Sequence, residues 1–375
     1  MIFWFVTSWF NFDKTHFNKG LKNKWFLLLF SFFIIHIVSA ILSDNQKGAL
    51  NAIELKLGFL GFPYFYFLFK IERSTVKRVI SAFISGCLIA LLACLGRAFW
   101  LYLLTGENHF YYTKFSYFMH AGYFSMYMCF AIVITFIVYP VWYKKDRWIS
   151  AVKYAFVVMF VIGVFLCASK IGIITFGITA LLIPLILFKD TLTIKGVVLS
   201  LTLLVGLAFL LYVVLPTPFA RITNALSSAS TTNIDRTSSE STTVRILIWG
   251  ECVDLIKSNL MTGVGAGDVN DVLQERYKEK GLSGALEHNL NAHNQYFQTF
   301  IGLGLIGFII LVTSTLGAMI YGFVKRNWIL VLFTVIIILN FLVESMLQTQ
   351  AGNLFFGFFL CLLLTVDTSL YSEEI

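Results

Sequence analysis

Residues 292–324 read AHNQYFQTFIGLGLIGFIILVTSTLGAMIYGFV. The apolar part of this run is long enough for a helix to cross the ~30 Å hydrocarbon core of a bilayer. An imidazole and an amide, His293 and Asn294, stand at its start, and the charged pair Lys325-Arg326 follows its end. The run therefore predicts a membrane-spanning helix that begins beside a polar, water-facing segment.

The whole chain has the composition of a helical membrane protein. Of its 375 residues, 58% are hydrophobic and 13% are charged, and the mean hydropathy is +0.81. A soluble domain carries about 25% charged residues, so this chain has too few charges to cover a surface exposed to water. The apolar runs are near ~20 residues long and lack the alternation of membrane β-barrel strands. We expect an all-α, polytopic membrane protein.

Ten apolar runs are predicted to form transmembrane helices. They cover about residues 25–43, 51–69, 79–104, 117–143, 149–168, 171–188, 196–215, 292–324, 328–345 and 350–367. Basic residues are enriched in cytoplasmic connections, and fifteen of them fall on one side of this arrangement: Lys14, Lys19, Lys22, Lys24, Lys70, Arg73, Lys77, Arg78, Lys144, Lys145, Arg147, Lys189, Lys195, Lys325 and Arg326. The short connections on the other side hold Lys47, Lys114 and Lys170. The C-terminus is therefore expected in the cytoplasm, and the net charge of +8 needs no nucleic-acid partner.

One long connection divides the chain into three predicted parts. These are N-terminal transmembrane helices over 1–215, a loop domain over 216–291 and C-terminal transmembrane helices over 292–375. The same alternation places the loop outside the cytoplasm, and long loops cross a membrane largely regardless of their charge. Within the loop we expect a stop at Pro216-Thr217-Pro218, a flexible Ser/Thr-rich stretch over 227–243, a helix from Val244 to Ser258, a glycine turn over Gly263–Gly267 and a second helix from about Asp268 to Lys280.

The first twelve residues form a short apolar segment. It is too short to span a bilayer, and it lacks the basic start and the small-residue cleavage site of a signal peptide. We expect it to be the end of a helix whose beginning is missing, or an interfacial segment.

His293 and Arg245 are the side chains best suited to chemistry. An imidazole titrates near neutral pH and can take a proton from a hydroxyl, and Asn294 beside it can orient a sugar hydroxyl. Arg245 and Trp249 lie one helical turn apart on the expected loop helix. A guanidinium in this place can bind phosphate oxygens through two parallel N–H···O hydrogen bonds. The simpler alternatives are a boundary histidine that bonds a loop carbonyl, and an arginine that pairs with Glu251 or Asp254.

Four further polar residues are expected at the same outer membrane boundary. Lys170 follows Ser169 at a turn between two apolar runs, where it can meet an anion or extend to the interface. Arg97 and Glu344 lie near the outer ends of their runs and could pair with each other or line a cavity. His120 lies at the start of the fourth run. None of the six cysteines belongs to a metal-binding pattern, and we expect no metal site.

Two motifs resemble the O-antigen ligase and polymerase superfamily of bacterial inner membranes. The family shows a His, then Asn, Ser or Gln, then nine residues and Gly-x-x-Gly, and the sequence here is His293-Asn294 followed by Gly304-Leu305-Ile306-Gly307. The family also shows an Arg with a Trp one turn later and then a Gly-x-Gly turn, which here are Arg245, Trp249 and Gly263–Gly267. The helix count and the single large loop before the last helices are similar too. Ser169-Lys170 departs from a frequent family Ser-Arg, keeping the charge but losing the planar fork. The missing first helix is a second departure.

The resemblance implies a glycosyltransferase-C-like fold and a transferase in the bacterial inner membrane, with its large loop in the periplasm. Its donor would be a glycan on undecaprenyl pyrophosphate and its acceptor lipid A–core. Arg245 and Lys170 would stabilise the departing pyrophosphate, and His293 would deprotonate or orient the acceptor hydroxyl. Asn294, Trp249, His120, Arg97 and Glu344 would contribute to substrate binding. No metal and no cofactor would be needed, because the activated donor carries its own leaving group. The apolar helices themselves suit a polyprenyl tail.

Several functions share this pattern. O-antigen ligase, in lipopolysaccharide biosynthesis, is the first interpretation. O-antigen polymerase and protein O-oligosaccharyltransferase stay open, because one histidine and one arginine do not distinguish the acceptors. A polysaccharide or lipid transporter is the alternative from another class. Transport pathways leave polar groups near mid-depth in broken helices, whereas the mid-depth residues here are nearly all Leu, Ile, Phe and Val.

Overall fold

The computed structural model describes residues 13–142, 147–187, 201–202, 205–206, 209–230, 236–238 and 240–366. Every regular element in these ranges is helical, which confirms the all-α prediction. The apolar segment over residues 1–12, part of the predicted span over 196–215 (residues 196–200, 203–204 and 207–208) and the basic residues Lys144, Lys145, Lys189 and Lys195 lie outside the described residues.

Seventeen helices are described in these ranges. They are α1 (Lys14–Leu21), α2 (Lys24–Ile41), α3 (Gln46–Lys56), α4 (Gly58–Leu68), α5 (Arg73–Thr105), α6 (Tyr112–Phe115), α7 (Ala121–Trp142), α8 (Arg147–Leu166), α9 (Lys170–Leu187), α10 (Pro216–Ser230), α11 (Ser241–Ser258), α12 (Val269–Lys280), α13 (Ser283–Glu287), α14 (Gln295–Val312), α15 (Ala318–Val324), α16 (Trp328–Phe341) and α17 (Gln350–Thr365). A π-helical segment, Thr313–Gly317, joins α14 to α15, and a 3-10 turn, Met346–Gln348, precedes α17.

Four helical stretches are long and apolar enough to cross a membrane: Lys24–Ile41, Arg73–Thr105, Ala121–Val138 and Gln295–Val324. Four shorter apolar helices coincide with further predicted spans: Ala151–Leu166, Lys170–Ile186, Trp328–Phe341 and Gln350–Thr365. The chain is therefore an integral membrane protein. The count of ten spans and the side on which the loop lies stay predictions.

The second predicted span is not one helix. Residues 51–69 are divided between α3 and α4, which meet at Leu57. Lys56, the last residue of α3, has a side chain that is 1% exposed and donates to the carbonyl of Leu347 inside the protein. The prediction of one continuous apolar helix was wrong, because the hydrophobic run hides a lysine that is anchored by a distant segment.

The described residues form two compact units. The first contains residues up to Ile71, then Ala225–Tyr321 and Asn340–Val366, so the loop residues belong with helices from both ends of the chain. The second contains Glu72–Asn224 and Gly322–Leu339. Within the second unit α7 is almost wholly buried, and α9 approaches it so closely that a Cβ on Gly172 would lie 2.2 Å from the Ser125 hydroxyl oxygen.

The loop residues of the first unit surround their own hydrophobic core. Helix α11 contributes buried residues at helical spacing, which gives it one apolar face; they are Val244, Ile248, Cys252 and Leu255. This face packs on Leu273 and Tyr277 of α12 and on Ala292 and Ile301. Complete burial of a side chain of this size stabilises the fold by about 1.5–3 kcal/mol. Both predicted loop helices are confirmed.

The Ser/Thr-rich stretch differs in part from its prediction. Residues 227–230 close α10, and residues 241–243 open α11, so both ends of the stretch are helical rather than flexible. Glu240 explains the second start, because its carboxylate accepts the backbone N–H groups of Thr242 and Thr243 at 2.8 and 2.9 Å. The expected stop at Pro216 is confirmed, since helical residues 209–214 end before it and α10 begins with it.

The glycine turn packs directly on α14. Gly304 interrupts α14 with a φ of +64°, and a Cβ there would lie 2.2 Å from the carbonyl oxygen of Met261. The chain before and after Gly263 runs against this break, with Val264 donating to Ile301 at 2.8 Å and Leu305 donating to Leu260 at 2.9 Å. The glycines thus allow the loop backbone to pack against the middle of α14.

Candidate functional site

Glu344 lies between Arg245 and His293. One carboxylate oxygen accepts from the Arg245 Nη2 at 2.6 Å, and the other is 3.3 Å from the His293 Nδ1. The three side chains are 21%, 12% and 22% exposed for Arg245, Glu344 and His293, so they are shielded without being sealed from solvent. All three belong to the first compact unit.

Helix α11 positions Arg245. The residue lies in the second turn after the Glu240 cap, between the buried Val244 and Ile248 that anchor the helix to its core. One turn later, Trp249 donates its indole N–H to the carbonyl of Ala292 at 3.0 Å, and its ring stands edge-on to Phe297. The Arg-Trp pair on one helix face therefore connects the guanidinium to the backbone beside His293.

His293 precedes α14 rather than belonging to it. Its φ is +44°, in the left-handed region that a residue with a Cβ rarely adopts. Two side-chain acceptors hold the strained turn, because the N–H of His293 donates to Asn291 Oδ1 at 2.9 Å and the N–H of Ala292 donates to Gln298 Oε1 at 3.1 Å. His293 and Gly304 both depart from helical geometry, so neither continues the helix face formed by Phe297 and Phe300. Strain of this kind, held by its surroundings, is found at functional sites.

Asn294 caps α14 and holds the segment that carries Glu344. Its Oδ1 accepts the N–H of Phe297 at 3.1 Å, and its Nδ2 donates to the carbonyl of Leu342 at 3.1 Å. Both ends of the amide are therefore engaged within the protein. The capping role accounts for the position of Asn294 in the motif, since asparagine is a preferred residue at helix starts.

The hydrogen-bond chemistry of the site follows from these contacts. A carboxylate only accepts, so the His293 Nδ1 that faces Glu344 carries the proton and Nε2 is left as the basic nitrogen. Arg245 has five N–H donors. One goes to Glu344, and its Nε is buried with no hydrogen-bond partner among the described residues. The site therefore combines a proton acceptor with a cation whose donor capacity is not filled by the protein.

The other predicted site residues belong to the second unit. Arg97 donates to the carbonyl of Lys114 at 3.0 Å, and its guanidinium lies 4.5 Å from the ring centre of Tyr117. His120 precedes α7, and its Nδ1 accepts the N–H of Gly122 at 3.3 Å. Lys170 opens α9 directly after the buried Ser169, at the turn where the sequence placed it.

The role of Glu344 as the shared partner of Arg245 and His293 was missed from the sequence. The available signal was composition, because Glu344 is the only carboxylate between Glu287 and Asp367. A lone acid at the end of an apolar helix requires a partner. Arg245 in the loop and His293 at the membrane boundary were both possible partners for this carboxylate.

Comparison with known families agrees with the motifs. A family described as O-antigen ligase matches residues 154–312. The matched region contains Lys170, Arg245, Trp249 and His293 and the glycines of α14, and it ends before Glu344. A comparison with curated proteins finds no match to the chain.

Proposed function

We propose that this chain, whose residues 154–312 match the O-antigen ligase family, transfers a glycan from undecaprenyl pyrophosphate to lipid A–core at the outer face of the bacterial inner membrane. Members of this family are glycosyltransferase-like enzymes. The observation that carries the proposal is the arrangement of Arg245 and His293 on the two oxygens of Glu344. A phosphate-binding cation and a proton acceptor are the two groups that this transfer needs.

In the proposed reaction an acceptor hydroxyl oxygen forms a bond to the anomeric carbon of the donor glycan. The bond between that carbon and the pyrophosphate oxygen breaks, and its electron pair leaves with the pyrophosphate. Arg245 stabilises the charge that develops on this leaving group. The hydroxyl proton passes to the Nε2 of His293, and attack from the face opposite the leaving group inverts the anomeric centre.

Glu344 has two tasks in this proposal. It keeps the proton of His293 on Nδ1, so that Nε2 points its lone pair towards the acceptor, as the carboxylate does in a Ser-His-Asp triad. It also accepts from the Arg245 Nη2 and so orients the guanidinium. Trp249 and Asn294 support the same geometry through Ala292 and Leu342. Lys170, Arg97 and His120 stay proposed substrate contacts.

Deletion of the gene, followed by gel analysis of lipopolysaccharide, separates the acceptors. Loss of every long chain from the core, with polymer accumulating on the lipid carrier, supports the ligase. A core that carries a single repeat indicates O-antigen polymerase instead. Unchanged lipopolysaccharide with missing glycoprotein indicates an O-oligosaccharyltransferase.

Complementation with point variants tests whether the chain is an enzyme. His293→Ala is expected to abolish transfer while the protein accumulates in the membrane at its normal level. His288→Ala is the matched control, because His288 is an exposed imidazole five residues earlier in the same connection. A His293→Ala protein that restores wild-type lipopolysaccharide would leave a transporter as the better reading.

A further inference from the structure

Residues 342–349, which carry Glu344 between α16 and α17, are anchored in their middle by hydrogen bonds to the backbone of Leu347. The N–H of Leu347 donates to Gln295 Oε1 at 2.7 Å. Its carbonyl accepts from Asn353 Nδ2 at 2.7 Å and also from the Lys56 ammonium. Leu347 is itself wholly buried, three residues from Glu344. The position of Glu344 relative to Arg245 and His293 therefore depends on the residues that hydrogen-bond to Leu347.

Lys56 is a costly choice for this contact. Its side chain is 1% exposed, and an ammonium removed from water is expensive unless its donors are satisfied. The Asn353 amide already donates to the same carbonyl, so this carbonyl does not need a second donor for stability alone. A lysine buried under these conditions points to a role in fixing the position of the Leu347 carbonyl.

A small cavity beside Lys56 connects it to the other half of the site. The cavity has a volume of about 20 Å³, enough for one water molecule. Polar side chains on its wall include His36, Lys56, Gln298, Thr299 and Gln348. Gln298 is the residue whose Oε1 accepts the N–H of Ala292, directly before His293. Lys56 thus adjoins the supports of both Glu344 and His293.

We propose that Lys56 is a positioning residue that fixes Glu344 against His293 and Arg245 through the carbonyl of Leu347. The proposal rests on the transferase function proposed above. It assigns Lys56 no contact with substrate, and it accounts for a charged side chain buried at the break between α3 and α4. If Lys56 acts through Glu344, its removal must matter only while the Glu344 carboxylate is present.

A double-mutant cycle in purified, detergent-solubilised full-length protein tests this dependence, because residues that act through one another are not additive. The variants are Lys56→Met, Glu344→Gln and their combination, assayed with a lipid-linked glycan donor. We expect Lys56→Met to lower kcat on the order of tenfold with little change in the donor KM, since misplacement of a reacting group affects the chemical step. In the Glu344→Gln background the same change is expected to lower kcat by less than about twofold.

Lys47→Met is the matched control, because Lys47 is an exposed lysine on the same helix. It is expected to leave kcat unchanged. Equal losses from Lys56→Met in both backgrounds would overturn the proposal, because a purely structural lysine gives an additive effect. If Lys56→Met does not accumulate, the same double-mutant cycle is measured with Lys56→Gln, whose side chain is polar but shorter.

The cycle also separates this inference from the proposed function. If His293→Ala and Glu344→Gln both leave transfer intact, the proposed function fails and Lys56 has nothing to position. If both variants impair transfer and Lys56→Met is additive with Glu344→Gln, only the positioning role fails.

Discussion

Trp249 donates its indole N–H to the carbonyl of Ala292 at 3.0 Å, across 43 positions of the chain. This bond ties the helix that carries Arg245 to the residue directly before His293. It explains why a tryptophan, and not another aromatic residue, follows the arginine by one turn. Phenylalanine would keep an aromatic ring beside Phe297 but would leave the carbonyl without this donor.

Trp249→Phe is therefore expected to impair transfer more than it impairs folding. The lost hydrogen bond destabilises the protein by about 0.5–1.5 kcal/mol, while the loosened turn at Ala292 lowers kcat on the order of tenfold. Thermal unfolding in detergent and transfer kinetics measure the two effects. Phe297→Leu is the companion variant, since it removes the ring contact and keeps the indole bond; a larger loss of kcat from Phe297→Leu than from Trp249→Phe would contradict this explanation.

Glu344→Gln is expected to reduce transfer about 10–100-fold, because without the carboxylate the imidazole and the guanidinium shift from their reacting positions. The amide keeps the size of the side chain but loses the negative charge shared by Arg245 and His293. Stability is expected to fall by about 1.5–3 kcal/mol, because a hydrogen bond to a charged group is lost in a largely buried setting. Glu279→Gln is the control for charge removal, since Glu279 pairs with Arg276 on the exposed face of α12. Unchanged kinetics for Glu344→Gln would contradict the role given to this carboxylate.

Arg245→Lys keeps the positive charge of the site but replaces the planar guanidinium with an ammonium group. Because a planar guanidinium can hold Glu344 and a phosphate oxygen at once, lysine is expected to lower transfer about 100-fold. Variation of the donor at fixed acceptor shows whether the loss falls on kcat, as stabilisation of the leaving group requires. Arg276→Lys, on another loop helix, is expected to behave as wild type. A loss confined to the donor KM would mean that Arg245 binds the donor without stabilising the departing pyrophosphate.

Gly304→Ala is expected to unfasten the loop from α14. The φ of +64° and the carbonyl of Met261, 2.2 Å from the position of the new Cβ, both oppose the substitution. Strain in the left-handed region costs about 1–3 kcal/mol before the clash is relieved. Gly250→Ala is the matched control within α11, where a Cβ meets nothing within 4 Å; it is expected to be neutral or stabilising by up to about 1 kcal/mol. Equal unfolding temperatures for the two variants would contradict this account.

Cys252 provides a chemical probe of the core between α11 and α12. It is wholly buried in α11, and burial raises the pKa of its thiol to about 12. Because only the thiolate reacts, Cys252 is expected to resist maleimide at pH 8 in the folded protein and to react when the loop core opens. In a background that retains Cys252 as its single cysteine, mass spectrometry measures the rate. Rapid labelling of the folded protein would mean that the core of α11 and α12 is not closed.

The side on which the loop lies is open to a direct test. Lys257 has a side chain that is 71% exposed on α11, and Lys325 is exposed directly after α15. Lys257→Cys is expected to react with an impermeant maleimide applied to intact cells without their outer membrane. Lys325→Cys is expected to react only after the inner membrane is opened. The reverse pattern would contradict the orientation predicted from the lysine and arginine clusters.

Local sequence signals were sufficient for most of the described helices and for part of the site. Apolar spacing from Val244 to Leu255 predicted α11, and the position of Asn294 before an apolar run is a helix-start signal that describes its observed role better than a sugar contact does. Arg245 and Glu344, in contrast, are 99 positions apart, and no local pattern encodes their contact. The role of Lys56 was missed because hydropathy is averaged over a window of residues. Such an average does not show that one lysine donates to a buried carbonyl.

Because the site depends on Glu344, it can form only after the C-terminal part of the chain has been synthesised. The carboxylate lies beyond the region that matches the family, on a segment held by the last described helix. A nascent chain that has already inserted Arg245 and His293 still lacks the group that unites them until its C-terminal helices emerge. Synthesis halted before these helices would therefore leave a fragment without the carboxylate on which the proposed activity depends.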